Sequence, residues 1–204
     1  MDAAALIDDV TDDQQTELSR IGSSKTLYAD TRGEMDADTV FAAAAAREAA
    51  ASGTFAAWAD DEEHDEAAAL FAETAEAAES RLASLDAEPA DWTPAMHDTL
   101  DDLEGTVARL GGLVAWTLVD KKVKEQLTGF FTGQADPQTA STFRSAGGDV
   151  VDLREDVSDL LDAVCDGEDD WANARESATA VVEAAYDEFF ETLEDLGVNP
   201  KPVC

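Results

Sequence analysis

The chain has 204 residues, with 47 acidic side chains against 13 basic ones and a formal net charge of -34. Its 45% hydrophobic content is that of a folded protein, and its length suffices for one domain with a sizeable core. So acidic a chain offers no basic patch to neutralise phosphates, which argues against direct binding to DNA, RNA or an anionic membrane.

Most of the acids must face water, because buried unpaired carboxylates are costly. At low salt such a charge repels itself, and high ionic strength screens most of that repulsion. An acid-rich, lysine-poor, alanine-rich composition therefore reads as halophilic, of the salt-in archaeal kind. Nucleic-acid mimicry or docking of a basic partner is the alternative use of the charge. The N-terminal run MDAAALIDDV is too acidic for a signal peptide. No stretch approaches the roughly 18 apolar residues of a membrane span. A cytoplasmic location is expected. Cys165 and Cys204 form no CxxC pair, so neither a zinc site nor a disulfide framework is suggested. Cys204, the last residue, would be the place for an exposed thiol.

In chain order the sequence reads as helix after helix, without strand alternation. A short amphipathic segment over residues 10–21 is followed by a polar connector carrying Gly22 and Gly33. A long helix is expected from Asp36 or Asp38 to about residue 60, with Phe41, Ala44, Ala51, Phe55 and Trp58 on its apolar face. A second helix over 65–85 presents Leu70, Phe71, Thr74, Ala78, Leu82 and Leu85. After EPADWTP, Thr93 as cap and Pro94 at the first helical position predict a third helix running through Leu100, Leu103, Val107, Leu110, Val114 and Leu118. Gly111 and Gly112 within it signal close packing or a bend. VDKKVKEQLTGFFTGQ continues the helical period and is the one locally basic spot. Its Lys121, Lys122 and Lys124 are expected to be solvated. Asp136-Pro137 opens a fourth helix, DGEDD breaks it, and a last helix follows until Gly197.

These elements predict an all-α fold, an antiparallel bundle of four to five long helices with a short N-terminal extension. The expected organisation is an extension over residues 1–35, a bundle over 36–196 and a tail over 197–204. One residue departs from a plain bundle. Glu48 falls within the apolar face of the first long helix, four from Ala44 and three from Ala51. It either enters the interior, where it needs a cationic partner, or sits at the edge of the stripe and reaches water.

The run Glu48, Ala51, Phe55, Trp58, Ala59 resembles the first-helix pattern of rubrerythrin-like proteins in the ferritin-like superfamily. ALFAETAEAAESRL resembles their second helix, and the likeness spans residues 36–86. GFFTGQAD and the closing EAAYDEFFETLEDLGVNPKPVC resemble a halophilic archaeal branch. The resemblance implies a four-helix bundle with a di-iron carboxylate site used for peroxide, oxygen or iron handling. It also implies which ligands are missing. Glu48 matches the first-helix glutamate, but Ala78 and Arg81 stand where the second helix would carry a glutamate and a histidine. Alanine ligates nothing, and arginine has no lone pair to offer. Glu76 and Glu79 lie about 200° and 100° around the helix from position 78 and should face solvent. Gln134 and Gly147-Gly148 sit near where relatives would supply further ligands.

Arg81 shares a face with Phe71, Thr74 and Ala78, so its guanidinium could replace the metal charge and pair with Glu48. No cofactor is then expected, and no catalytic residue is assigned. A structural, regulatory or interaction role follows, with a homo-oligomer or a protein partner compatible with it. The alternative is a carboxylate-rich di-iron oxidoreductase or iron-binding protein that joins Glu48 to ligands from Glu104, Glu155, Asp156, Glu176 and Glu183. His64, three residues after Asp61 amid DDEEHDE, and His97 after a proline-capped start are read as solvated or capping residues.

Overall fold

A computed structural model describes residues 1–200, all of whose regular elements are α-helices: α1 Ala3–Asp13, α2 Gln15–Ile21, α3 Lys25–Asp30, α4 Ala37–Asp61, α5 Asp65–Leu85, α6 Ala95–Asp101, α7 Thr106–Gly133, α8 Pro137–Val164 and α9 Glu168–Asp195. Helices α1, α4, α5 and α8 start at polar side chains that take an orphan N–H group of the first turn. Asp36 accepts from the Thr39 amide at 3.0 Å and from the Thr39 hydroxyl at 2.8 Å. Asp136 does the same with Thr139, at 3.1 and 2.6 Å, just ahead of Pro137. Both carboxylates are held below their ordinary pKa, Asp36 chiefly by the Thr39 amide and Asp136 chiefly by the Thr139 hydroxyl. His64 caps α5, its ring nitrogen accepting from the Ala67 amide at 3.4 Å.

Two parts of the expected helix order need correction. The N-terminal segment is two helices that meet at Gln14, and α3 occupies the presumed connector. The expected third helix is also two. After Asp101 the chain turns, Gly105 takes φ 82°, and α7 begins afresh at Thr106. Thr93 is not the cap: Pro94 holds that position, and Glu188 of α9 accepts from the Ala95 amide at 2.9 Å.

Partner residues fix the helix directions. Along α4 and α7, Phe41 meets Phe131, Glu48 meets Lys124 and Phe55 meets Trp116. Numbers rise on one helix as they fall on the other, so the two run antiparallel. Helices α4 and α5 are antiparallel through Glu48–Arg81 and Trp58–Phe71. Helices α7 and α8 are antiparallel through Thr117–Arg154 and Phe131–Phe143. With α5 against α8, the four close into a bundle of antiparallel neighbours, and α9 packs on α7 and α6. The connection from α5 to α7 spans residues 86–105 and carries α6.

Helix α7 is the centre of the molecule. Every residue from 108 to 120 is buried, which requires neighbours on all sides. A Cβ on Gly111 would lie 2.3 Å from the Ala174 carbonyl oxygen, so the backbones of α7 and α9 touch there. Two aromatic layers fill the bundle. Phe55, Trp58, Phe71 and Trp116 stack edge-to-face at one level, while Phe41, Phe131 and Phe143 form the other. Helices α1 and α2 add Ala3, Leu6, Val10, Leu18 and Ile21 to the main core.

Candidate functional site

Between the aromatic layers lies a chain of four charges. Glu48 of α4 is 2% exposed. Its Oε2 accepts from Arg81 Nε of α5 at 2.9 Å, and its Oε1 accepts from Lys124 Nζ of α7. Lys124 also donates to Asp120 Oδ1, one turn earlier on α7, at 3.1 Å. Cation and anion alternate along Arg81–Glu48–Lys124–Asp120, so the interior group is neutral as a whole. Burial alone would lower the Lys124 pKa, but Asp120 and Glu48 outweigh it and hold the ammonium above its ordinary value. The outer oxygen of the chain, Asp120 Oδ2, is buried without a hydrogen-bond partner.

The geometry follows from local structure. On α5, Phe71, Thr74 and Ala78 are buried on the inward face, and the half-buried Arg81 extends that face to its edge. Glu73, Glu76 and Glu79 are exposed on the other side. Ala78 leaves only a methyl group on the bundle wall. Gly147 of α8 faces Lys124: a Cβ there would lie 3.4 Å from the Lys124 Cβ and 3.3 Å from Lys121 Nζ. The lysine spot therefore divides. Lys121 pairs with Glu125 at 3.4 Å on the outside, whereas Lys124 is 2% exposed. The expectation that Lys124 is solvated is thereby corrected, because Lys124 lies on the inward side of α7, between Glu48 and Gly147, while Glu125 takes the exposed side of the same turn.

His97 also departs from the solvated reading, being 2% exposed. Thr54 Oγ1 donates to Asp101 Oδ1 at 2.8 Å and lies 3.0 Å from His97 Nδ1. The hydroxyl has one proton and gives it to the carboxylate, so His97 Nδ1 must be the donor in the second bond. Burial, reinforced by the nearby Arg47 charge and opposed by Asp120, pushes the His97 pKa down from 6.5 to about 4. Asp61 pairs with Arg109 at 2.9 Å, so Asp61 and His64 do not form a ligand pair.

The donor set around Glu48 does not fit a di-iron centre. Such centres in bundles draw inward carboxylates and histidines from facing helices. Here both Glu48 oxygens accept from cations, Ala78 has no donor atom, and Lys124 adds fixed positive charge to the same space. Glu104, Glu155, Asp156, Glu176, Glu183 and Gln134 are all exposed, and Gly147 and Gly148 have no side chains. Among the described residues no three His, Cys, Asp or Glu side chains gather as a metal-holding group. Cys165 is half-buried and its thiol is pushed up to about 11, first by burial and then by Asp170, Asp162 and Asp166. Cys204 lies outside the described residues. Among those residues no helix is long and apolar enough to cross a membrane.

Comparison with family models, curated proteins and solved structures returns no match to this chain.

Proposed function

We propose that this chain is a ferritin-like helical bundle of a halophilic archaeon in which an internal ion chain stands in place of di-iron chemistry, leaving a structural, regulatory or interaction role. The observation that carries this reading is the double engagement of Glu48 by Arg81 and Lys124. Two fixed cations supply the charge that metal ions would supply in a carboxylate bundle. The helix order adds support: two antiparallel hairpins, α4–α5 and α7–α8, are joined by one long connection over residues 86–105, the arrangement of ferritin-like bundles. Its acidic surface suits concentrated salt and disfavours phosphate contacts. A basic protein or a second copy of this chain is the kind of partner such a surface admits.

The test is turnover. Protein purified in concentrated potassium chloride and supplied with ferrous iron should oxidise it with oxygen or peroxide no faster than a protein-free blank. Catalytic iron oxidation or peroxide reduction, abolished by Glu48→Ala, would overturn the reading.

A further inference from the structure

A second feature lies outside the ion chain. A cleft of about 340 Å³ opens among α3, α4, the segment around Trp92 and α9. At the roughly 30 Å³ that one water occupies in the liquid, it holds a molecule of about ten non-hydrogen atoms. Ala43, Met96, Val119 and Phe189 supply apolar wall.

The charged groups of the cleft are not equally committed. Arg47 is taken by Asp30 through two parallel hydrogen bonds, Nε to Oδ2 at 2.9 Å and Nη2 to Oδ1 at 2.8 Å. Its guanidinium also lies 5.1 Å from the centre of the Trp92 ring. Burial would lower the Arg47 pKa, but Asp30, with Glu188 and Asp120, keeps it above its ordinary value. Glu188 is held differently. Its Oε1 accepts from the Trp92 indole N–H at 2.6 Å and its Oε2 from the Ala95 amide at 2.9 Å. Both donors are neutral, and among the described residues no Lys or Arg forms an ion pair with it. An ionised carboxylate has about four acceptor positions, so two neutral donors orient Glu188 and leave acceptor capacity unmet, with Arg47 acting on its charge without a direct ion pair.

The sign of the site follows. Asp30, Glu34, Asp91 and Glu188 line the cleft against Arg32 and Arg47, so an anionic ligand is repelled. A hard metal ion would need several converging oxygens, and the walls beside Glu188 are largely hydrocarbon. A compact cation with an apolar stem meets both surfaces.

We propose that the cleft binds a small primary amine, its ammonium on Glu188 and its aliphatic stem against Val119 and Phe189. The proposal is independent of the reading of the ion chain. A monoamine and a diamine share this chemistry, and n-butylamine and 1,4-diaminobutane tell the two sources apart.

Isothermal titration calorimetry in concentrated potassium chloride, which suppresses non-specific condensation on the acidic surface, tests it. Saturable one-to-one binding is expected for at least one of the two amines and none for butane-1,4-diol. Glu188→Gln should weaken binding at least tenfold. Ala185→Leu, which narrows the cleft while leaving Glu188 and its two donors in place, should weaken it similarly. If Glu188→Gln disturbs the fold by circular dichroism, Ala185→Leu decides. The proposal is overturned if neither amine binds, if butane-1,4-diol binds as well, or if the properly folded variants bind like the parent.

Discussion

Lys124 contacts two carboxylates, Glu48 and Asp120, and its value to the fold depends on both. Removing one member of a buried ion pair leaves a charge without its counterion, at a cost of about 3–5 kcal/mol. Glu48→Gln and Lys124→Met should each lower the unfolding free energy by about that amount in denaturant titrations. The double variant should cost less than their sum, because the shared Glu48–Lys124 contact is lost only once; Asp120 is left without its cation in Lys124→Met and in the double variant alike. Additivity within about 0.5 kcal/mol would show that the two do not interact. His97 gives a pH signature. Its folded pKa, about 4, lies below the ordinary 6.5, so the unfolded chain binds its proton first as pH falls. The neutral ring's contribution is fully present above pH 6.5 and declines towards pH 4, by about 3 kcal/mol in all. Below that, both states are protonated and the slope ends. A His97→Asn variant should lose this dependence when unfolding is followed across the same window. Glu48 was legible at this scale because a carboxylate interrupts an apolar stripe. Lys124 was not, since a cluster of three lysines in an acidic chain reads as surface. The overlooked signal is spacing: Lys124 stands four after Asp120 and three before Leu127, on the stripe that continues to Phe131, whereas Lys121, Lys122 and Glu125 fall off it.

Helix boundaries were legible where a polar cap stands next to a proline or an acidic turn. Asp136-Pro137 opens α8, and the 65–85 reading coincides with α5. The break between α6 and α7 was hidden because Leu100, Leu103, Val107 and Leu110 keep helical spacing across it. What breaks the chain is backbone conformation at Gly105, φ 82°, which periodicity does not sense. Gly111 and Gly112 look alike in the sequence but differ in what they touch. A Cβ at Gly111 meets the Ala174 backbone at 2.3 Å, whereas at Gly112 it meets the Leu103 side-chain tip at 2.4 Å. Gly111→Ala must push α9 away, and should destabilise by about 1–3 kcal/mol or more. Gly112→Ala should cost less, since a leucine can change rotamer. Parallel thermal melts of the two variants check the order.

At the scale of the molecule, a net charge of -34 and a neutral interior ion chain are complementary facts: the acids are kept outside, and the few buried ones are matched by cations. Raising salt from 0.1 M to 1 M shortens the screening length from about 10 to about 3 Å. The melting temperature should therefore climb with salt, by about 2–4 °C for every 1 kcal/mol of repulsion relieved. Sodium and potassium chloride should act alike if screening is the cause. The all-α class was legible from periodicity. The directions of the helices were not, because they depend on which faces meet, as Glu48 meets Lys124. The central claim concerns that meeting, and an anaerobic ferrous titration followed by calorimetry and by the unfolding midpoint tests it most directly. The account predicts no stoichiometric uptake and no metal-induced rise in midpoint, since a native-state ligand would stabilise by mass action. Saturable binding of two irons per chain, lost in Glu48→Ala, would contradict it.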